Sequence, residues 1–140
     1  MKQQSRIILG LDPGLATIGY AFLEFDASEN IRLLDFGVIK TSPDETLPRR
    51  LHLLQADLET LLEQFHPTDV FVEELFFSTN TKTALSVAHA RGVLLSSISH
   101  RGISLKTFTP NQVKLGITGH GNADKRSVQD MLMKILNLPE

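Results

Sequence analysis

The stretch IILGLDPG, residues 7–14, sets four apolar residues around a glycine and then delivers one carboxylate, Asp12, into a proline-glycine turn. An apolar run without alternation, cut off by Pro13-Gly14, predicts a central strand over Arg6–Leu11 that is buried on both faces. Two further runs follow, TIGYAFLEFD (Thr17–Asp26) and IRLLDFGVIKT (Ile31–Thr41), separated by the polar turn Ala27–Asn30. Their aromatic and β-branched content makes the first 41 residues a three-stranded meander. Beyond it the period changes. Leu47, Leu51, Leu54, Leu58, Leu61 and Phe65 recur at steps of three and four, with Pro48 suited to a first helical turn. A strand over Val70–Glu73 or Glu74 then returns directly after the helix, which predicts a crossover onto the same sheet.

The second half continues the alternation. Asn80–Ser99 reads as a helix in which Ala84, Ala88 and Gly92 form a small-residue stripe, expected to pack closely on its own sheet or, less favoured, to let another backbone come close. ISLKTFT is a fifth strand, Pro110 opens a short helix through Leu115, and GITGHGN is a glycine-rich loop. Asn122 is the expected cap of a last amphipathic helix with Val128, Met131, Leu132 and Ile135 on its inner side. The fold class is therefore α/β, with a mixed five-stranded sheet and the meander at one side.

At 140 residues with 41% apolar content, the chain has the size and core of one domain. It contains no cysteine, which removes disulfide frameworks and thiolate metal sites. No apolar run approaches the roughly 18 residues of a membrane span, and the expected setting is soluble and cytoplasmic. The net charge of −2 conceals an asymmetry: residues 1–78 carry 13 acids and 6 bases, residues 79–138 carry 2 acids and 8 bases. The second half is a candidate polyanion face, unless its bases scatter over several solvated surfaces.

Asp12 and Glu73 both end predicted strands, so both carboxylates can emerge in the crevice where α/β sheets bind ligands. Carboxylate oxygens suit hard cations such as Mg²⁺, which often take only one or two protein carboxylates and rely on substrate phosphate for the rest. Each residue alone has a simpler reading: Asp12 caps its turn, and Glu73 is a strand-end charge in water. The glycine-bearing turn LDPGLATIG has the character of a backbone phosphate cradle, a weak signal by itself. Lys114, Lys125 and Arg126 are the candidate phosphate contacts. Lys125 and Arg126 oppose the dipole at a helix start, which a bound polyanion would explain better than stability does. Phe76 and Phe77 follow the acidic strand end and are candidates for stacking on bases, unless alternation turns one of them into the core.

Taken in order, LGLDPG, VEELFFSTNTKTALSVAHARG, TPNQVK and GHGNADKRSVQDML resemble the RuvC family of Holliday-junction resolvases, over Ile7 to Leu138. The resemblance implies a ribonuclease H-like fold with helices on both faces of the sheet. It also implies a homodimer that grips a four-way DNA junction and resolves it by Mg²⁺-dependent phosphodiester hydrolysis in recombination and repair. By the same resemblance Asp12 and Glu73 are catalytic metal ligands, with two Mg²⁺ in a complete site. Phe76 contacts opened junction DNA, Asn80 lies in the DNA-facing stretch, and Lys114 and Lys125 stand near the scissile phosphate. Arg126 is added from its charge. A branch-migration helicase complex is the implied partner.

Two departures accompany the likeness. Glu74 puts an extra anion where the family often has an uncharged residue. The family also continues past LNLP into a helix with further catalytic aspartates, so residues 1–140 read as one nuclease domain, C-terminally incomplete, with impaired cleavage and some apolar sheet surface uncovered. The alternatives are a module that binds junctions without cutting and, less favoured, a nucleotide-binding phosphotransfer domain.

Overall fold

The computed structural model describes residues 5–74 and 81–138. Five strands, β1 (Arg6–Asp12), β2 (Thr17–Phe25), β3 (Ile31–Lys40), β4 (Asp69–Glu73) and β5 (Ser104–Phe108), form one sheet in the order β3-β2-β1-β4-β5. β1 pairs antiparallel with β2 and parallel with β4, so the sheet is mixed and the expected crossover is present. The meander closes through Asp26, whose side chain accepts from the Ser28 and Asn30 amides at 2.8 and 2.9 Å. One irregularity interrupts it: the β2–β3 register shifts between Phe22 and Leu23.

α1 (Leu47–Phe65) starts at Thr46, whose hydroxyl caps the Arg49 amide with Pro48 in the first turn, and ends at a left-handed His66. Its leucine face supplies Leu54, Leu58 and Leu62 to a core shared with Leu9, Leu11, Ile18, Phe22, Val70 and Val72 of the sheet. Phe65 stacks on Phe22 with centroids 4.3 Å apart. α2 (Thr81–His100) lies on the same side and contributes Ala90, Leu94 and Ile98. Arg101 ties the two helices by pairing with Glu59 at 2.6 Å and Glu63 at 3.0 Å.

The structure corrects several expectations. The small-residue stripe does not pack on the sheet as a unit: Ala84 is buried, but Ala88 and Gly92 are exposed, because Ala90, Leu94 and Ile98 occupy the inner face. β1 is buried on one face only; Leu9 and Leu11 are covered, while Ile8 and Gly10 are half-buried. α3 (Pro110–Thr118) runs three residues past Leu115, because Gly116 is tolerated inside the helix and Gly119 supplies the left-handed cap. The residues 116–118 expected in a loop are therefore helical. α4 (Lys125–Ile135) is capped by Asp124, which accepts from the Ser127 amide at 2.8 Å, and not by Asn122. Ile135 is exposed and not on an inner side.

α3 and α4 flank the second face of the sheet, which has helices on both sides but is closed on only one. Cross-strand rows on this open face run Val38, Gly19, Asp12 and, next to it, Phe36, Ala21, Gly10, Phe71. Phe36 is 66% and Val38 51% exposed there. Nothing stands within 4 Å of where a Cβ on Gly10 would lie.

Candidate active site

Asp12 is the last residue of β1 and Glu73 the last of β4, and these strands are parallel neighbours. Equal direction and adjacent ends bring the two side chains together by construction. Both line one recess beside Pro13. Burial, followed by hydrogen bonding with Asp12 and its negative charge, pushes the Glu73 carboxyl up to about 7. Two acids held this close resist joint ionisation, which a cation between them would relieve.

Two glycines border the pair, and one of them is required by the backbone. Gly19 is the β2 partner of Asp12, and a Cβ there would lie 3.6 Å from the Asp12 Cβ. A Cβ on Gly14 would collide with the Thr17 carbonyl oxygen, so the turn that carries the chain away from Asp12 closes only with glycine.

Beside the pair opens a pocket of about 670 Å³ on the open face of the sheet. Gly10 and Ala21 form its floor, and Val113, Val128 and Leu132 of α3 and α4 form its far wall. Lys114 and Lys125 also line it, so two of the basic residues singled out from the sequence share one cavity with Asp12 and Glu73. Arg126 is exposed on α4 and does not line this cavity. Phe76, Phe77 and Asn80 lie outside the described residues. Among the described residues, no group of three or more His, Cys, Asp or Glu converges in a metal-holding cluster.

Sequence reasoning missed Arg91. Its Nε donates to the Glu73 carbonyl oxygen at 3.4 Å, and it lines a second recess with Asp12, Glu73 and Glu74. Arg91 thus holds the β4 end from α2 by a backbone contact that no spacing pattern announces. Glu74, the extra anion, turns toward β5 and accepts from the Thr107 hydroxyl at 3.2 Å.

Comparison with known proteins gives the chain its family. Residues 8–140 match the family model of the crossover junction endodeoxyribonuclease RuvC. The protein of that name from Alkaliphilus oremlandii is 42% identical over 132 residues, which cover 94% of this chain and 80% of the relative. The one from Roseiflexus sp. is 43% identical over 94% of this chain and 77% of its own length. T. thermophilus RuvC in complex with Holliday junction substrate superposes with a TM-score of 0.90 at 34% identity, over 96% of this chain and 82% of that one. The yeast mitochondrial Holliday junction resolvase Ydc2, at 17% identity and a TM-score of 0.66, shares the fold. With paired strand-end carboxylates, lysines across the pocket and this agreement over nearly its whole length, the chain belongs to the crossover junction endodeoxyribonuclease RuvC family.

Proposed function

We propose that this chain is a structure-selective endodeoxyribonuclease that acts on four-way DNA junctions in recombination and repair, with residues 1–140 serving as one nuclease domain. The observation that carries the reading is the Asp12–Glu73 pair at adjacent parallel strand ends, sharing one pocket with Lys114 and Lys125.

The donor set fits Mg²⁺. Two convergent carboxylates, one of them resisting ionisation beside the other, offer hard oxygen ligands and a net negative site that a divalent cation neutralises. A two-cation site held by Asp12 and Glu73 would acidify the attacking water and stabilise the departing sugar oxygen. Lys114 and Lys125 offset the charge that grows on the phosphate as one P–O bond forms and the other breaks. Arg91 keeps the β4 end in place, so that Glu73 stays directed at Asp12. Phe76 and Asn80 are assigned to contact with the junction DNA in this reading by the family resemblance alone, and Arg126 is added for its charge. Two copies related by a twofold axis would match the symmetry of a four-way junction, acting where a branch-migration helicase delivers the crossover. The exposed face of α2, with Leu85 63% exposed beside Ala88, suits such pairing.

The test is nicking of a mobile four-way junction in Mg²⁺. The parent protein should cut, and Asp12→Asn should lower the rate by about 100-fold or more while still binding the junction. Chelation of the metal should stop cutting and leave binding intact. Tight binding with no nick by the parent would instead establish the second reading, a junction-binding module, which draws on the count of only two convergent carboxylates among the described residues.

A further inference from the structure

A second pocket, of about 330 Å³, opens on the other side of the β1–β2 turn. Its walls are the turn residues 14–17, Thr83, Ser86 and Val87 of α2, and the Arg50 side chain from the first turns of α1. No acidic residue lines it.

Arg50, like Arg91 beside the acid pair, is held by an uncharged oxygen. It is half-buried, and it makes no ion pair with a described carboxylate, whereas Arg6, Arg32 and Arg101 each do. Its Nε donates to the Thr41 hydroxyl at 3.1 Å, and that hydroxyl donates to the Leu15 carbonyl oxygen at 2.6 Å. The Thr41 amide in turn donates to the Ala16 carbonyl at 3.0 Å. The guanidinium is therefore braced against the turn by one edge, which preorganises its remaining donors. A partly desolvated, oriented guanidinium with no ion pair among the described residues is a planar fork of donors that suits an acceptor able to take two parallel N–H bonds, such as a phosphate oxygen pair.

The pocket also adjoins the candidate active site. Val87 lines both this pocket and the recess that holds Asp12 and Glu73, and Gly14 is separated from Asp12 only by Pro13. We propose that the Arg50 pocket binds a backbone phosphate of the junction DNA flanking the one at Asp12 and Glu73, so that two points of one strand are held and the register of the cut is set. This rests on the junction-nuclease reading above. It also gives the glycine-bearing turn its phosphate-binding part, with Arg50 supplying the charge.

The experiment is a titration of four-way junction DNA, without divalent cation, from about 50 to 200 mM salt. The proteins compared are the parent, Arg50→Gln and Arg50→Lys. Arg50→Gln should bind about tenfold or more weakly at the low-salt end, and its log K against log salt slope should fall by about one phosphate contact. Arg50→Lys should keep the parent slope. In the parent, the Nε–H signal of Arg50, assigned by its loss in Arg50→Lys, should shift when the junction is added. An unchanged slope in a folded Arg50→Gln overturns the pocket alone, since the parent still binds. An unmoved Nε–H signal does the same without any reliance on how the glutamine variant folds. A parent that fails to bind the junction overturns both this inference and the reading beneath it.

Discussion

The two faces of the sheet are built on opposite principles. Toward α1 and α2, alternate positions of β1, β2 and β4 supply large, buried apolar side chains: Leu9 and Leu11, Ile18 and Phe22, Val70 and Val72. On the reverse, the same strands present Gly10, Gly19, Ala21, Asp12 and Glu73, and a pocket takes the place of packed side chains. One face supplies stability and can be rigid. The other gives up packing so that two acids and two lysines can converge. The strand period of two makes this division possible, since a residue's parity alone decides which role it plays.

The sharpest way to break the comparison is on the closed face. Leu58→Ala removes a fully buried side chain from the centre of α1 and should destabilise the protein by about 3 kcal/mol, within roughly 2–5. Denaturant unfolding measures it, and nicking per folded molecule should be unchanged. A cost below about 1 kcal/mol would mean that this face is not the stability core.

On the open face the sign should invert. In metal-free protein the Glu73 carboxyl is raised from 4.5 to about 7, so its contribution to stability is complete below about pH 4.5 and is lost as pH rises through about 7. Glu73→Gln removes that loss. The variant should gain up to roughly 1 kcal/mol over the parent at pH 8, after allowance for solvent screening, and much less at pH 5. Asp26 and Asp124, whose carboxyls are held low by the amides they cap, titrate in both proteins and cancel in the difference. An equal effect at the two pH values would separate the variant's stability from the acid pair. The same substitution should abolish cutting, so that the residue is costly to the fold and needed for the chemistry.

The smallest effect belongs to the rim of the open face. Phe36→Thr should change unfolding free energy by less than about 0.5 kcal/mol, because the ring is largely in solvent already. A loss above about 1.5 kcal/mol would show that something covers this row in solution.

The parts of the molecule legible in sequence are those governed by local period and by strand ends. The leucine repeat of α1, the crossover from β1 to β4 and the meeting of Asp12 with Glu73 all follow from patterns within a few residues of each other or from strand direction. Helix ends were less legible. Gly116 and Gly119 are the same residue type, and only the left-handed backbone at Gly119 distinguishes a stop from an interior position. Asn122 and Asp124 are both good caps, and the choice falls to the one that reaches the Ser127 amide. Arg91 and Arg50 were invisible for a different reason. Their partners, the Glu73 carbonyl and the Thr41 hydroxyl, are groups that many residues offer, so the contacts leave no signature in residue type or spacing.

The register shift between Phe22 and Leu23 bears on how this protein keeps to itself. β3 is an edge strand carrying exposed Phe36 and Val38, which is the composition of a surface that recruits a further strand from another molecule. An irregular register bends the edge and strengthens its local twist, so that a straight incoming strand cannot match hydrogen bonds along all ten residues. With Lys40 closing one end and the Arg32–Glu24 pair occupying the other, the irregularity works as a guard against fibrous growth, on the side of the molecule that function has left bare.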